Sequence, residues 1–185
     1  MRFFYDCEFL EDGRTIELIS IGIVCEDGRE YYAVNRDAPW KRIKKHTWLM
    51  ANVVPTLPQP HGDWILHMPK SWPIDFHNPI VKPKKKIATD VERFILGEPA
   101  PQSEPELWAY YGAYDHVALC QLFGPMIALP NGMPMWTHDL MQAWEQAGKP
   151  EKPTQGGNVH NALDDARWNQ KLYAACQTTQ PEGDR

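Results

Sequence analysis

The first part of the chain sets short, dense apolar runs between tight polar breaks. Residues Arg2 to Leu10 are rich in aromatics, and Glu11-Asp12-Gly13-Arg14 supplies a turn. Ile16 to Cys25 carries Ile16, Leu18, Ile19, Ile21, Ile23 and Val24, a β-branched run suited to a buried central strand. Glu26-Asp27-Gly28 is a hairpin signal leading into a third strand over Glu30 to Val34. The pattern predicts three antiparallel strands joined by tight turns.

From Asn52 to Pro83 the period is lost. Prolines interspersed with Trp, His and Phe read as a long irregular excursion. It is either a surface insertion pinned by Trp64, Trp72 and Phe76, or a wall of a substrate cleft or an oligomer contact. Helical spacing returns over Ile87 to Leu96. A Pro-rich stretch from Pro99 to Pro105 then leads into a short apolar strand, Leu107 to Tyr111. Further helices are expected at Asp115 to Phe123, stopped by Gly124-Pro125, at Leu140 to Ala147, stopped by Gly148, and from about Asn161 to Cys176. This order predicts the α/β class, with a mixed central sheet flanked by helices. One domain is expected over residues 1–176, including the excursion at 52–83, with residues 177–185 as a loose tail.

At 185 residues the chain suits one domain with a sizeable core. Its formal net charge of −5 argues against holding nucleic acid by overall charge. Bound cations would reverse the sign inside an acidic site, so a nuclease stays open. Basic residues cluster at Lys41-Arg42, Lys44-Lys45, and at Lys82 with Lys84-Lys85-Lys86; each cluster is either a solvated face or a phosphate track. Cys7, Cys25, Cys120 and Cys176 are widely spaced with no C-x-x-C pair, which fits reduced thiols better than a disulfide framework or a zinc site. No signal peptide and no apolar run of membrane-spanning length is evident, so a cytoplasmic protein is expected.

Three acidic fragments carry the candidate chemistry. On a strand, Asp6 and Glu8 project from one face while Tyr5, Cys7 and Phe9 take the other. Two carboxylates on an apolar strand are costly unless a cation or hydrogen bonds compensate; the alternative is an edge strand with a solvated acidic face. Asp115 lies past a strand where a helix begins, a position for a helix-dipole charge or for a ligand at a strand end. In His160-Asn161-Ala162-Leu163-Asp164-Asp165, Asn161 fits an N-cap and Asp164 a capping-box partner, with Asp165 one residue deeper. His160 is either a satisfied surface or core histidine or a general base, a role that imidazole commonly fills. Carboxylates crowded together repel, so a site that collects them usually holds divalent cations.

In order, D-x-E at Asp6 and Glu8, an aspartate after a strand at Asp115, and H-x-A-x-x-D from His160 to Asp165 strongly resemble the three motifs of the DEDDh exonucleases, in the ribonuclease H-like superfamily. The third motif places its aspartate five residues after its histidine, which selects Asp165 over Asp164. The stretches Phe4 to Phe9 and Trp108 to His116 look most like the actinobacterial polyadenylate-specific 3′-exoribonucleases. In Tyr111-Gly112-Ala113-Tyr114-Asp115 the asparagine common in the second motif is missing.

The resemblance implies a ribonuclease H-like fold and a 3′-to-5′ exonuclease acting on single-stranded nucleic acid, with RNA favoured over DNA. It implies two divalent ions, about 3.5–4 Å apart. Asp6, Glu8 and Asp165 would hold one, and Asp6 mainly the other, with Asp115 nearby through water. Hard oxygen ligands favour magnesium or manganese. His160 would act as general base, and nucleoside 5′-monophosphates would be released. Phe9 and Leu10 would contact the terminal nucleotide, although Phe9 is equally compatible with the core. Related exonucleases are often dimers, so a homodimer is a further expectation. A DNA exonuclease, or a nucleic-acid-binding module that does no chemistry, are the alternative readings.

Overall fold

In the computed structural model, which describes residues 1–60, 73–97, 104–157 and 159–178, the apolar first third folds as its pattern predicts. β1 (Arg2–Glu11), β2 (Ile16–Cys25) and β3 (Glu30–Asn35) form an antiparallel meander. The second turn closes at Gly28, whose φ of 92° a side-chain-bearing residue rarely adopts. Three more strands, β4 (Val81–Lys82), β5 (Glu106–Ala109) and β6 (His138–Asp139), complete a six-stranded mixed sheet in the order β4-β3-β2-β1-β5-β6. This is the expected α/β architecture, consistent with a ribonuclease H-like fold.

The helices cover both faces of the sheet. On one face Phe3, Tyr5, Cys7, Ile21 and Ile23 pack with Ile87, Val91 and Ile95 of α3 (Lys84–Leu96) and Ala118 and Leu119 of α4 (Ala113–Cys120). On the other face Leu10, Ile19 and Val34 meet α1 (Trp40–Ile43), α2 (Thr47–Asn52) and the 3₁₀ turn Val54–Thr56. There too, α5 (Leu140–Gln146) and α6 (Ala162–Thr178) bury Leu140, Leu172 and Cys176 together. The alternation along β1 is the predicted one. Leu18 and Ile21 of β2 nevertheless share a face with Ile19 between them on the other, because the pairing slips by one residue between Glu8 and Phe9.

Several elements differ from the sequence reading. α1 and α2 are too short to show a helical period, and β4 lies inside the stretch read as irregular. That stretch is anchored at its described ends: Phe76 packs edge-on against Trp40 at 5.5 Å, and Ile74 is buried in the core. Trp64 and Trp72 lie outside the described residues. β5 stops at Ala109, earlier than expected, since Tyr111 turns the chain with a φ of 55°. α4 accordingly starts ahead of Asp115, in its first turn. α6 reaches Thr178, so the expected boundary at residue 176 falls within its last turn, and residues 179–185 lie outside the described residues.

One close approach fixes α6 on the sheet. Gly22 pairs with Asp6 across the β1–β2 ladder. The backbone of α6 sits directly over it: a Cβ at Gly22 would lie 2.3 Å from the Ala162 carbonyl oxygen and 2.4 Å from the Leu163 Cα. Only a residue without a side chain lets the first turn of α6 descend beside Asp6. Gly22→Ala is therefore expected to lower stability by about 1–3 kcal/mol, several degrees in Tm. A thermal melt at the wild-type value would contradict this packing.

Candidate metal centre

The centre forms where β1 outruns its neighbour. β5 pairs with β1 in parallel only from Arg2 to Phe4, whereas β1 continues to Glu11. Beyond Phe4 the edge of β1 has backbone groups with no strand to meet, and buried groups of that kind must find partners. Two helices supply them. The Cys7 N–H donates to the Asp115 carboxylate at 2.8 Å, from α4. The Tyr5 carbonyl accepts from the Asn169 side-chain amide at 2.9 Å, from α6. Asn169 is 1% exposed and one helical turn after Asp165, so this bond ties the helix bearing Asp165 to the strand bearing Asp6 and Glu8.

Asp115 is further steadied from its own helix and its neighbours. Thr137 shares hydrogen bonds with the Tyr5 hydroxyl at 2.6 Å and with Nδ1 of His116 at 2.9 Å. The Gly112 N–H donates to Asp139 at 3.0 Å, and the same carboxylate accepts from Met141 N–H at 2.7 Å to cap α5.

The third fragment arrives at the start of α6. Asn161 caps it as predicted, accepting from the backbone N–H of Leu163 at 3.2 Å and of Asp164 at 3.3 Å. Its amide donates to the Tyr32 hydroxyl and the Thr56 carbonyl, at 3.3 and 3.2 Å. His160 adopts a φ of 66°, uncommon for a residue with a side chain. Its N–H donates to Asp165 at 3.1 Å, and its carbonyl accepts from the Thr56 hydroxyl at 2.8 Å. Its ring stands edge-to-face against Trp48, centroids 4.9 Å apart. Asp164 forms an ion pair with Arg167 at 2.7 Å, and Arg167 also pairs with Glu30 at 2.6 Å.

Asp6, Glu8 and Asp165 thus converge: one carboxylate oxygen from each lies within 4.8 Å of the others. Among the described residues no lysine or arginine forms an ion pair with any of the three. Burial, followed by the charges of Asp115, Glu8 and Asp165, holds the Asp6 carboxyl well above the ordinary range. Burial, with Asp165 and Asp115, raises Glu8 to about 8. Burial also raises Asp115 to about 7, against the opposing bond from Cys7 N–H. Asp165 is raised by burial and partly relieved by Gln155, whose side-chain amide donates to it. Clustered hard oxygens without a cationic partner are the donor set that magnesium or manganese takes, so the residues fit such an ion.

The remaining predicted site residues sit around this trio. Asp115 lies close enough to raise Asp6 and Glu8 but spends one oxygen on Cys7. His160 touches the trio through its backbone, with its ring on Trp48. Leu10 is buried in the core. Phe9 is half-buried against the opposite core and stacks on the exposed Tyr114, centroids 6.1 Å apart at 12°. Sequence reasoning missed Asn169, Gln155, Thr56 and Trp48. Asn169 alone had a visible signal, an amide amid the apolar spacing of a helix; the others come from segments without a period.

A family model described as the 3′-5′ exoribonuclease Rv2179c-like domain matches residues 1–177. Two curated proteins of Mycobacterium tuberculosis are similar over nearly the whole chain: the 3′-5′ exoribonuclease MT2234.1 of strain CDC 1551 and the 3′-5′ exoribonuclease Rv2179c of strain H37Rv. Each is 43% identical over 183 residues, 99% of this chain and 97% of the relative.

Two outcomes are expected. The folded protein keeps protons on its crowded carboxyls that the unfolded chain releases at about pH 4. Protein freed of divalent ions should lose stability as pH rises from there through about 8, where Glu8 gives up its proton. Magnesium or manganese should flatten that fall by binding the ionised form, as melts across this range with and without the ion would show. Separately, Asn169→Ala leaves the Tyr5 carbonyl unpartnered and should cost about 1–3 kcal/mol. It should also weaken manganese binding measured by calorimetry, because α6 loses its tie to β1; unchanged ion affinity would reduce Asn169 to a packing role.

Proposed function

The chain belongs to the 3′-5′ exoribonuclease Rv2179c-like family and is a 3′-5′ exoribonuclease, and on that premise we propose that it shortens single-stranded RNA by divalent-ion-dependent hydrolysis, releasing nucleoside 5′-monophosphates. The observation that carries the metal dependence is the unpaired trio of Asp6, Glu8 and Asp165. These three would hold one ion, and Asp6 a second with Asp115 alongside. Two magnesium or manganese ions so held would neutralise the phosphate and stabilise the charge that develops on the attacking and leaving oxygens.

The chain's own residues do the rest. His160 receives the proton of the attacking water on its imidazole, a role worth about 10²–10⁴-fold in rate. Its backbone bonds to Asp165 and Thr56 hold the residue at the rim of the trio, and Trp48 limits the directions its ring can take. Phe9, backed by Tyr114, offers an aromatic surface for the 3′-terminal nucleotide; Leu10, committed to the core, leaves that contact to its neighbour. Base stacking of this kind contributes about 1–3 kcal/mol and tolerates many sequences. The four free cysteines suit a reducing, cytoplasmic compartment.

A 5′-labelled single-stranded RNA incubated with the protein and magnesium should shorten stepwise from its 3′ end, faster than the matched DNA. Asp165→Asn should abolish the reaction, and His160→Ala should slow it by about 10²–10⁴-fold. Full activity in either variant, or products from internal cleavage, would sink the assignment.

A further inference from the structure

Residues 38–57 leave β3 through α1, α2 and the 3₁₀ turn, and they meet the candidate centre at His160. Arg42 of α1 pairs at 2.5 Å with Asp12, which follows β1 and lies four residues past Glu8. Four residues span at most about 14 Å, so α1 stands at the same end of β1 as the carboxylates. Further along, Trp48 of α2 bears on His160 at 4.9 Å, and Thr56 holds the His160 carbonyl. The inner side of the segment is apolar, with Ile43, Leu49, Val53 and Val54 buried.

The outer side is basic. Lys41, Lys44 and Lys45 are exposed, and no acidic residue occurs between Asp37 and Asp63. Among the described residues neither Lys41 nor Lys45 forms an ion pair. In the other basic cluster two of the four lysines, Lys82 and Lys86, are taken up by Asp90, at 2.8 and 2.7 Å. In a chain of net charge −5, the segment beside His160 is thus a local reversal of sign.

We propose that this surface binds the RNA strand on the 5′ side of the scissile nucleotide, its phosphates lying along Lys41, Lys44 and Lys45 and its path running past Trp48 to His160. The proposal rests on the exoribonuclease reading and adds where the rest of the substrate goes. An acidic centre alone repels a polyanion, and only the nucleotide at the ions has its charge offset there. A basic track one step away holds the remaining phosphates without competing for the ions. It acts by counterion release, so its contribution grows with strand length and falls with salt. Substrates too short to leave the carboxylates never reach the lysines.

The test uses the double substitution Lys41→Ala with Lys45→Ala. On an RNA of about ten nucleotides, kcat/KM should fall on the order of tenfold, and the salt dependence of log affinity should flatten by about 0.7 per lysine removed. Hydrolysis of a dinucleotide should be unchanged, as should the melting temperature. Equal loss on both substrates, or undiminished activity on the longer one, would overturn the proposal. Affinity for the longer RNA is also read by fluorescence anisotropy in an Asp165→Asn background, where no turnover is needed. Lysine-dependent affinity there, with a wild-type protein that hydrolyses nothing, would overturn the catalytic reading and leave the track standing; lysine-independent affinity would overturn the track alone.

Discussion

The parallel pairing of β5 with β1 ends early, and the candidate centre depends on that shortfall. Had β5 continued beside Tyr5 and Cys7, their backbone groups would be used up within the sheet. Because it stops, the edge must be satisfied from outside, by Asp115 on one face and Asn169 on the other. Each helix so recruited also carries an acid or leads one in. An obligation of backbone hydrogen bonding thereby gathers carboxylates from three distant parts of the chain. Gly22 completes the arrangement from the opposite side of β1 by letting α6 descend to the level of Asp6.

What the fold gathers, electrostatics opposes. Three carboxylates within 4.8 Å, with a fourth nearby, leave the metal-free protein holding protons that water would ordinarily take. The surrounding structure tolerates this in part through bonds to the backbone: Cys7 N–H on Asp115, His160 N–H on Asp165. Such donors cannot swing away as a lysine side chain could, and they do not neutralise the charge. The carboxylates stay oriented and stay anionic in demand, which is the condition for a cation to bind with gain. A lysine in the same place would relieve the repulsion and remove the reason for an ion.

The parts of this design that rest on local pattern were legible in the sequence. The meander of β1, β2 and β3 follows from dense apolar runs and tight turns, and the shared face of Asp6 and Glu8 follows from strand periodicity. The N-cap at Asn161 follows from its side chain at the head of an amphipathic run. The convergence of Asp6, Glu8 and Asp165 was legible only through motif order, since nothing in a period of two or 3.6 says which strand a distant helix will cross. Of the supports, only Asn169 left a trace, as an amide amid the apolar spacing of α6. Trp48 and Thr56 sit in turns too short to show a period, and the two residues of β4 have no pattern to show. The end of β5 at Ala109 turns on a single left-handed residue, Tyr111, whose side chain gives no hint of it.

The same asymmetry governs the charge of the molecule. Net charge is a property of composition, and at −5 it points away from nucleic acid. Function depends instead on where charge is placed. The acids that matter are half-buried or buried at the end of β1, where ions can offset them. Lys41, Lys44 and Lys45 are exposed on a segment that packs its apolar side against the same end of the sheet. On the proposed path, a polyanionic strand entering along α1 and α2 meets exposed lysines before it reaches His160. Overall acidity then sharpens the effect of local placement, because a basic segment bordering the carboxylates stands out against a net negative background.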